Sequence, residues 1–162
     1  TAAEQSWTVV QLTDQELRIA MDVASSRHLE SRKQRLNDAH GFNGENALDI
    51  DALGAQAEMA LAKHLGAYWG GELNTFHGAD LLERVQVRAT RYSTGRLLIR
   101  ECDPPDHVYV LVVRLSWCQF RIVGQIVGSE ARRPEWFTKP DESRRPIWAV
   151  PQSALLPVVR KV

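Results

Sequence analysis

The stretch Ala55-Gln56-Ala57-Glu58-Met59-Ala60-Leu61-Ala62-Lys63-His64-Leu65-Gly66 decides how this chain is read. Gly54, Ala57, Glu58, Leu61, Ala62 and Leu65 recur with the spacing of one α-helical face. That face is apolar except for Glu58. The pattern predicts a helix from about Asp49 to Leu65, stopped by Gly66. Glu58 therefore points at a core, where a carboxylate is costly unless it meets a cation. An arginine from the strand-rich half or a bound metal ion would each serve, and the residues alone leave both open.

Downstream, Asp80 ends a loop that holds Gly70-Gly71 and His77-Gly78. Val85-Gln86-Val87-Arg88-Ala89-Thr90 follows as a strand, with Gln86 and Arg88 on one face and Val85 and Val87 on the other. Ser93-Thr94-Gly95 reads as a turn and Arg96 to Arg100 as the returning hairpin partner. Val108 to Leu115 is a nearly continuous apolar run, as in a central strand. Phe120 to Gly128 gives another strand. Ser129 to Phe137 reads as a short helix limited by Pro134. Ile147 to Val150 is a last strand, and Pro151 to Leu156 a terminal turn. Upstream, Thr13 and Glu16 have capping-box spacing. Leu17, Ala20, Met21, Ala24 and His28 carry a long helix from there to about Asn37. His40 to Asn46 is a Gly/Asn-rich loop.

Helices followed by a meander of strands predict an α+β fold with helices against one sheet face. The 162 residues suit one domain. It divides into an N-terminal helical extension (1–48), a core (49–130) and a C-terminal strand and turn extension (131–162). No apolar run is long enough to span a membrane, and residues 1–11 show no signal-peptide pattern. Cys102 and Cys118 are too few for a disulfide framework, and reduced thiols in the cytoplasm are expected. The formal net charge of zero hides an asymmetry: residues 1–80 are net acidic and residues 81–162 net basic, with 16 of the 20 basic residues arginine. Such a basic half is compatible with nucleic-acid contact or self-association; a solvated face with internal ion pairs explains it equally well.

Gly54 and Glu58 on the helix, Asp80 after it, and Gln86-Val87-Arg88 on the next strand resemble the core of the PD-(D/E)xK nuclease superfamily. The likeness is closest to its Holliday-junction-resolvase type, covers roughly residues 53–115, and has a phage-type flavour in the remainder. The resemblance implies a restriction-endonuclease-like core, a mixed β-sheet with helices packed against it. It implies a metal-dependent DNA endonuclease or a close derivative, with Glu58, Asp80, Gln86 and Arg88 as the catalytic set. Mg²⁺ or Mn²⁺ would be held by Asp80, Gln86 and Glu58. Arg27, Arg32 and Lys33 on the first helix, with Arg91 and Arg96 near the turn, are candidates for phosphate contacts on DNA. A homodimer is expected by analogy.

Two positions depart from the pattern. Gln86 stands where Glu is usual and removes a negative charge. Arg88 stands where Lys is usual; a guanidinium cannot serve as a general base, though it can clamp a phosphate. The alternative is a catalytically inactive nuclease-fold protein used in nucleic-acid binding or protein assembly, with Glu58 and Arg88 as a buried ion pair. His77, Glu83 and the Glu101/Asp103 pair are secondary candidates near the site. Lys63 and His64 lie on other faces of the second helix.

Overall fold

A computed structural model of the chain describes residues 8–35, 47–67, 69, 84–139 and 145–159. A short strand β1 (Thr8–Gln11) leads into helix α1 (Asp14–Arg35) and helix α2 (Ala47–Leu65). Strands β2 (Val85–Thr90), β3 (Leu97–Arg100), β4 (Val108–Arg114) and β5 (Gln119–Val127) follow, then a one-turn helix α3 (Gly128–Ala131). A 3₁₀ turn at Pro134–Trp136, strands β6 (Phe137–Thr138) and β7 (Ile147–Val150), and a 3₁₀ turn at Gln152–Ala154 complete the order. The fold is α+β.

The start of α1 and the end of α2 have local causes. Thr13 N–H donates to Glu16 Oε1 at 2.9 Å, and Glu16 N–H donates to Thr13 Oγ1 at 3.2 Å, the reciprocal capping box expected there. Gly66 closes α2 with φ 67°, a left-handed conformation that costs other residues more. Small side chains are frequent where the helices meet: Ala20 and Ala24 of α1 share one buried core with Ala52, Ala55 and Ala60 of α2. Alanine lets two helices approach closely and loses no rotamer freedom on burial. The pairs Glu16–Lys63, Met21–Gln56 and His28–Asp51 show that α1 and α2 run antiparallel.

The first sheet has the order β1-β5-β4-β2. It is mixed: β2 lies parallel to β4, while β4–β5 and β1–β5 are antiparallel. The predicted central strand is central, and its neighbours explain its sequence, because both of its faces are covered. Val110 and Val112 join the core under α1 and α2; Tyr109 and Leu111 join a second core on the other side. That second core lies beneath a three-stranded sheet of order β3-β7-β6. The layers are thus helices, first sheet, second sheet.

The expected hairpin between residues 85–90 and 96–100 is corrected here. The turn exists, with Gly95 N–H donating to Tyr92 O at 2.9 Å, but β3 pairs antiparallel with β7 and β2 pairs parallel with β4. Leu97 and Ile99 are fully buried in the second core beside Val150. Burying two such side chains, worth about 1.5–3 kcal/mol each, outweighs a local strand pairing. Strand β1 lies outside the sequence expectations; it is a four-residue edge strand.

Candidate functional site

Glu58 sits two-thirds of the way along α2, on the helical side of the first sheet. Arg27 of α1 reaches it with both arms of the guanidinium: Nη1 donates to Oε1 at 3.0 Å and Nη2 to Oε2 at 2.7 Å. Trp69 Nε1 adds a third donor to Oε2 at 3.3 Å. The cation that the apolar face calls for is therefore supplied by the protein, from the first helix and not from the strand half. A fork-to-carboxylate pair of this kind is the strongest side-chain ion pairing available. The two side chains are 18% and 22% exposed, so solvent weakens but does not cancel it.

Gln86 and Arg88 lie on the other face of the same sheet. Parallel pairing sets Gln86 beside Tyr109 and Arg88 beside Leu111. Val85, Val87 and Ala89 take the alternate positions and pack on the helical core. Gln86 Nε2 lies 3.0 Å from His107 Nδ1. Arg88 Nη2 lies 2.7 Å from Asp103 Oδ2, and the guanidinium carbon stands 5.1 Å from the centre of the Tyr109 ring. Close as it is, the Arg88–Asp103 approach is off the hydrogen-bonding direction, and Nε and Nη2 of Arg88 are buried without an acceptor. Burial, and then the charge of Asp103, push the Tyr109 hydroxyl above the usual phenol range; Arg88 and Arg132 oppose this. That hydroxyl donates to Pro104 O at 3.0 Å.

The loop of Asp103 is itself tied down. Arg100 N–H donates to Asp103 Oδ2 at 2.8 Å, and Arg132 Nη2 donates to Asp103 O. Arg132 also donates to Gly128 O at 2.9 Å and to Arg100 O at 3.3 Å. The sheet therefore separates two polar nodes. One is Glu58 with Arg27 and Trp69; the other is Gln86, Arg88, Asp103, His107 and Tyr109. The structure does not bring Glu58 together with Gln86 and Arg88, and the expected Glu58–Arg88 pair is replaced by Arg27–Glu58 and Arg88–Asp103.

Asp80, His77 and Glu83 lie outside the described residues. Glu101 is exposed, whereas Asp103 is 12% exposed and faces Arg88. Arg32, Lys33, Arg91 and Arg96 are exposed, and Arg96 Nη1 donates to Ala149 O at 3.3 Å. Lys63 bridges Glu16 and Gln11 O, and His64 Nε2 lies 3.2 Å from Val158 O. Cys102 is exposed and Cys118 buried, both as free thiols.

As a cation site the described residues do not fit. Both oxygens of Glu58 are engaged by donors, and Gln86 is on the opposite face. Among the described residues no group of three or more His, Cys, Asp or Glu side chains is placed to hold a metal ion. None of their helices is long and apolar enough to cross a membrane. Comparison with protein-family models, curated proteins and solved structures finds no match.

Sequence reasoning passed over Asp103, His107, Tyr109 and Arg132 as one group. Parallel pairing of β2 with β4 brings them together, and the only local sign of it is the Asp103-Pro104-Pro105-Asp106 loop ahead of the apolar run.

Proposed function

We propose that this chain acts on DNA as a protein of the restriction-endonuclease-like type, a metal-dependent endonuclease or a close derivative of one. The observation that supports this reading is the seating of Glu58. It is the one carboxylate on an otherwise apolar face of α2, and that helix packs directly on β2, the strand of Gln86 and Arg88. Asp80 falls between the two in the chain, which is the order of site residues in that class. No step through a metal ion follows from the described residues, because they do not assemble its ligands.

The bidentate Arg27–Glu58 pair favours a second reading. Here Glu58 is a structural partner, Gln86 and Arg88 brace the opposite core, and the protein binds nucleic acid or assembles with other proteins without cutting.

Incubation of plasmid, linear, single-stranded and four-way-junction DNA with Mg²⁺ or Mn²⁺, beside Asp80→Ala, separates the two. The first reading expects metal-dependent cleavage that Asp80→Ala abolishes while the circular dichroism spectrum stays unchanged. Salt-sensitive binding without cleavage supports the second. Cleavage that survives Asp80→Ala removes this residue from the site, and neither cleavage nor binding removes DNA from the reading.

A further inference from the structure

A cleft of about 400 Å³ opens at the carboxyl ends of β2 and β4, lined by Gln56, Arg91, Arg114, Leu115, Ser116 and Trp117. Because β2 and β4 are parallel, Arg91, just after the one, and Arg114, the last residue of the other, emerge at the same end. The volume falls in the range of small-ligand sites, roughly 300–1,000 Å³, which suits a nucleotide better than a duplex.

Three features give the cleft its chemistry. Trp117 is 68% exposed at the turn between β4 and β5. The turn is pinned: Leu115 and Ser116 N–H donate to Gln119 O at 2.8 and 3.3 Å, and Gln119 N–H donates to Ser116 Oγ at 3.2 Å. The indole is thus held out in water by a fixed backbone, at the cost of exposing a large apolar surface. Arg91 and Arg114 bring two guanidinium groups, neither in an ion pair or hydrogen bond among the described residues, and none of the described residues that line the cleft is acidic. Gln56 is 7% exposed in the wall; among the described residues its Nε2 meets only Met21 Sδ, at 3.5 Å, and its Oε1 is buried without a donor. A buried amide oxygen lacking a donor is costly, and an N–H on a base edge would satisfy it once the amide turns toward the cleft.

We infer that this cleft binds single-stranded DNA, with one base stacked on Trp117, the flanking phosphates on Arg91 and Arg114, and the base edge against Gln56. Base faces are available to an indole only when a strand is unpaired, and a flat aromatic between cations is how single strands are held. The inference deepens the DNA reading proposed above and rests on it, but it uses neither Glu58 nor Arg88.

The test is fluorescence anisotropy of fluorescein-labelled oligothymidine, and of a labelled duplex, with the full chain. The wild type is expected to bind the single strand more tightly than the duplex. Trp117→Ala should weaken single-strand binding by roughly 5- to 150-fold, the range for loss of one stacked base. Trp117→Phe keeps a stacking face and should stay within about three-fold of wild type. Arg91→Ala and Arg114→Ala should each lower the slope of log affinity against log salt by about 0.7. Trp117 is exposed, so its replacement leaves the fold intact, and an unchanged circular dichroism spectrum checks this. Binding of the single strand that is indifferent to Trp117→Ala, or duplex binding alone, overturns the cleft and leaves the DNA reading standing. No binding of either DNA by the wild type overturns both.

Discussion

Arg27 grips Glu58 with two hydrogen bonds, at 3.0 and 2.7 Å, across the interface of α1 and α2. The carboxylate on the apolar face of α2 is thereby a link between helices. Arg27→Ala leaves the carboxylate with Trp69 as its remaining donor, and Glu58→Gln leaves the guanidinium short of its counter-charge. Each single change is expected to destabilise by about 1–3 kcal/mol, less than for a fully buried pair because solvent reaches both groups. The double variant should cost clearly less than the two singles together, a coupling measurable by urea denaturation. Additive costs would show that the pair contributes no stability.

Glu16 makes the stability of the α1 start depend on pH. Burial acts to raise its pKa, but hydrogen bonds from Lys63 and from the Thr13 backbone and hydroxyl, with the Lys63 charge, outweigh that and hold it below its ordinary value of 4.5. A carboxyl with a depressed folded pKa contributes stability that is complete above its unfolded value and is lost as pH falls through the folded one. Melting temperatures of the wild type and Glu16→Gln should therefore differ at neutral pH and converge as pH falls below 4.5 and through the lowered folded pKa. A gap that is constant down to low pH would mean that the charge of Glu16 contributes nothing.

Gly124 is a point of close approach. A Cβ there would lie 2.7 Å from both Leu155 Cβ and Leu156 O. Leu156 is bridged to Gln125 by two backbone hydrogen bonds, of 2.8 and 2.9 Å. Gly124→Ala is expected to push this segment off β5 and cost about 1–3 kcal/mol. Faster amide exchange at Gln125 and Leu156 would locate the effect; unchanged exchange would contradict it.

Arg132 holds the loop that faces Arg88. It donates to the carbonyls of Gly128, Arg100 and Asp103, and its guanidinium carbon stands 5.3 Å from the centre of the Trp148 ring. Arg132→Ala should cost about 1–3 kcal/mol and alter Trp148 fluorescence. Arg132→Lys should recover only part of this, because an ammonium lacks the flat fork that both stacks and reaches several acceptors. Full recovery by lysine would reduce the role of Arg132 to its charge.

What was legible in the sequence was what periodicity and local chemistry carry. The capping box at Thr13 and Glu16, the apolar face around Glu58, the glycine stop at Gly66 and the doubly covered β4 all announce themselves within a few residues. What was not legible depends on distant segments. The turn near Ser93 has hairpin chemistry, but Leu97 and Ile99 are claimed by Val150 more than fifty residues away. Arg27, expected to contact DNA phosphate, has its fork closed on Glu58 instead, and nothing local in the sequence says that it would meet a carboxylate in the next helix. Alternation along residues 85–90 correctly put Gln86 and Arg88 on one face, but only the packing of Val85 and Val87 under the helices shows that this face turns away from Glu58.

Strand β2 is laid beside β4, yet the chain between them leaves to form β3, whose partner β7 comes only after β4, β5 and β6. Neither sheet is therefore contained in a contiguous half of the chain. A break between β6 and β7 would leave β3 and β6 without β7, their shared partner, while the first sheet and its helices stay in one fragment; the second sheet should form only when the two fragments are mixed. The second core is thus the part of the molecule that needs both pieces of the chain.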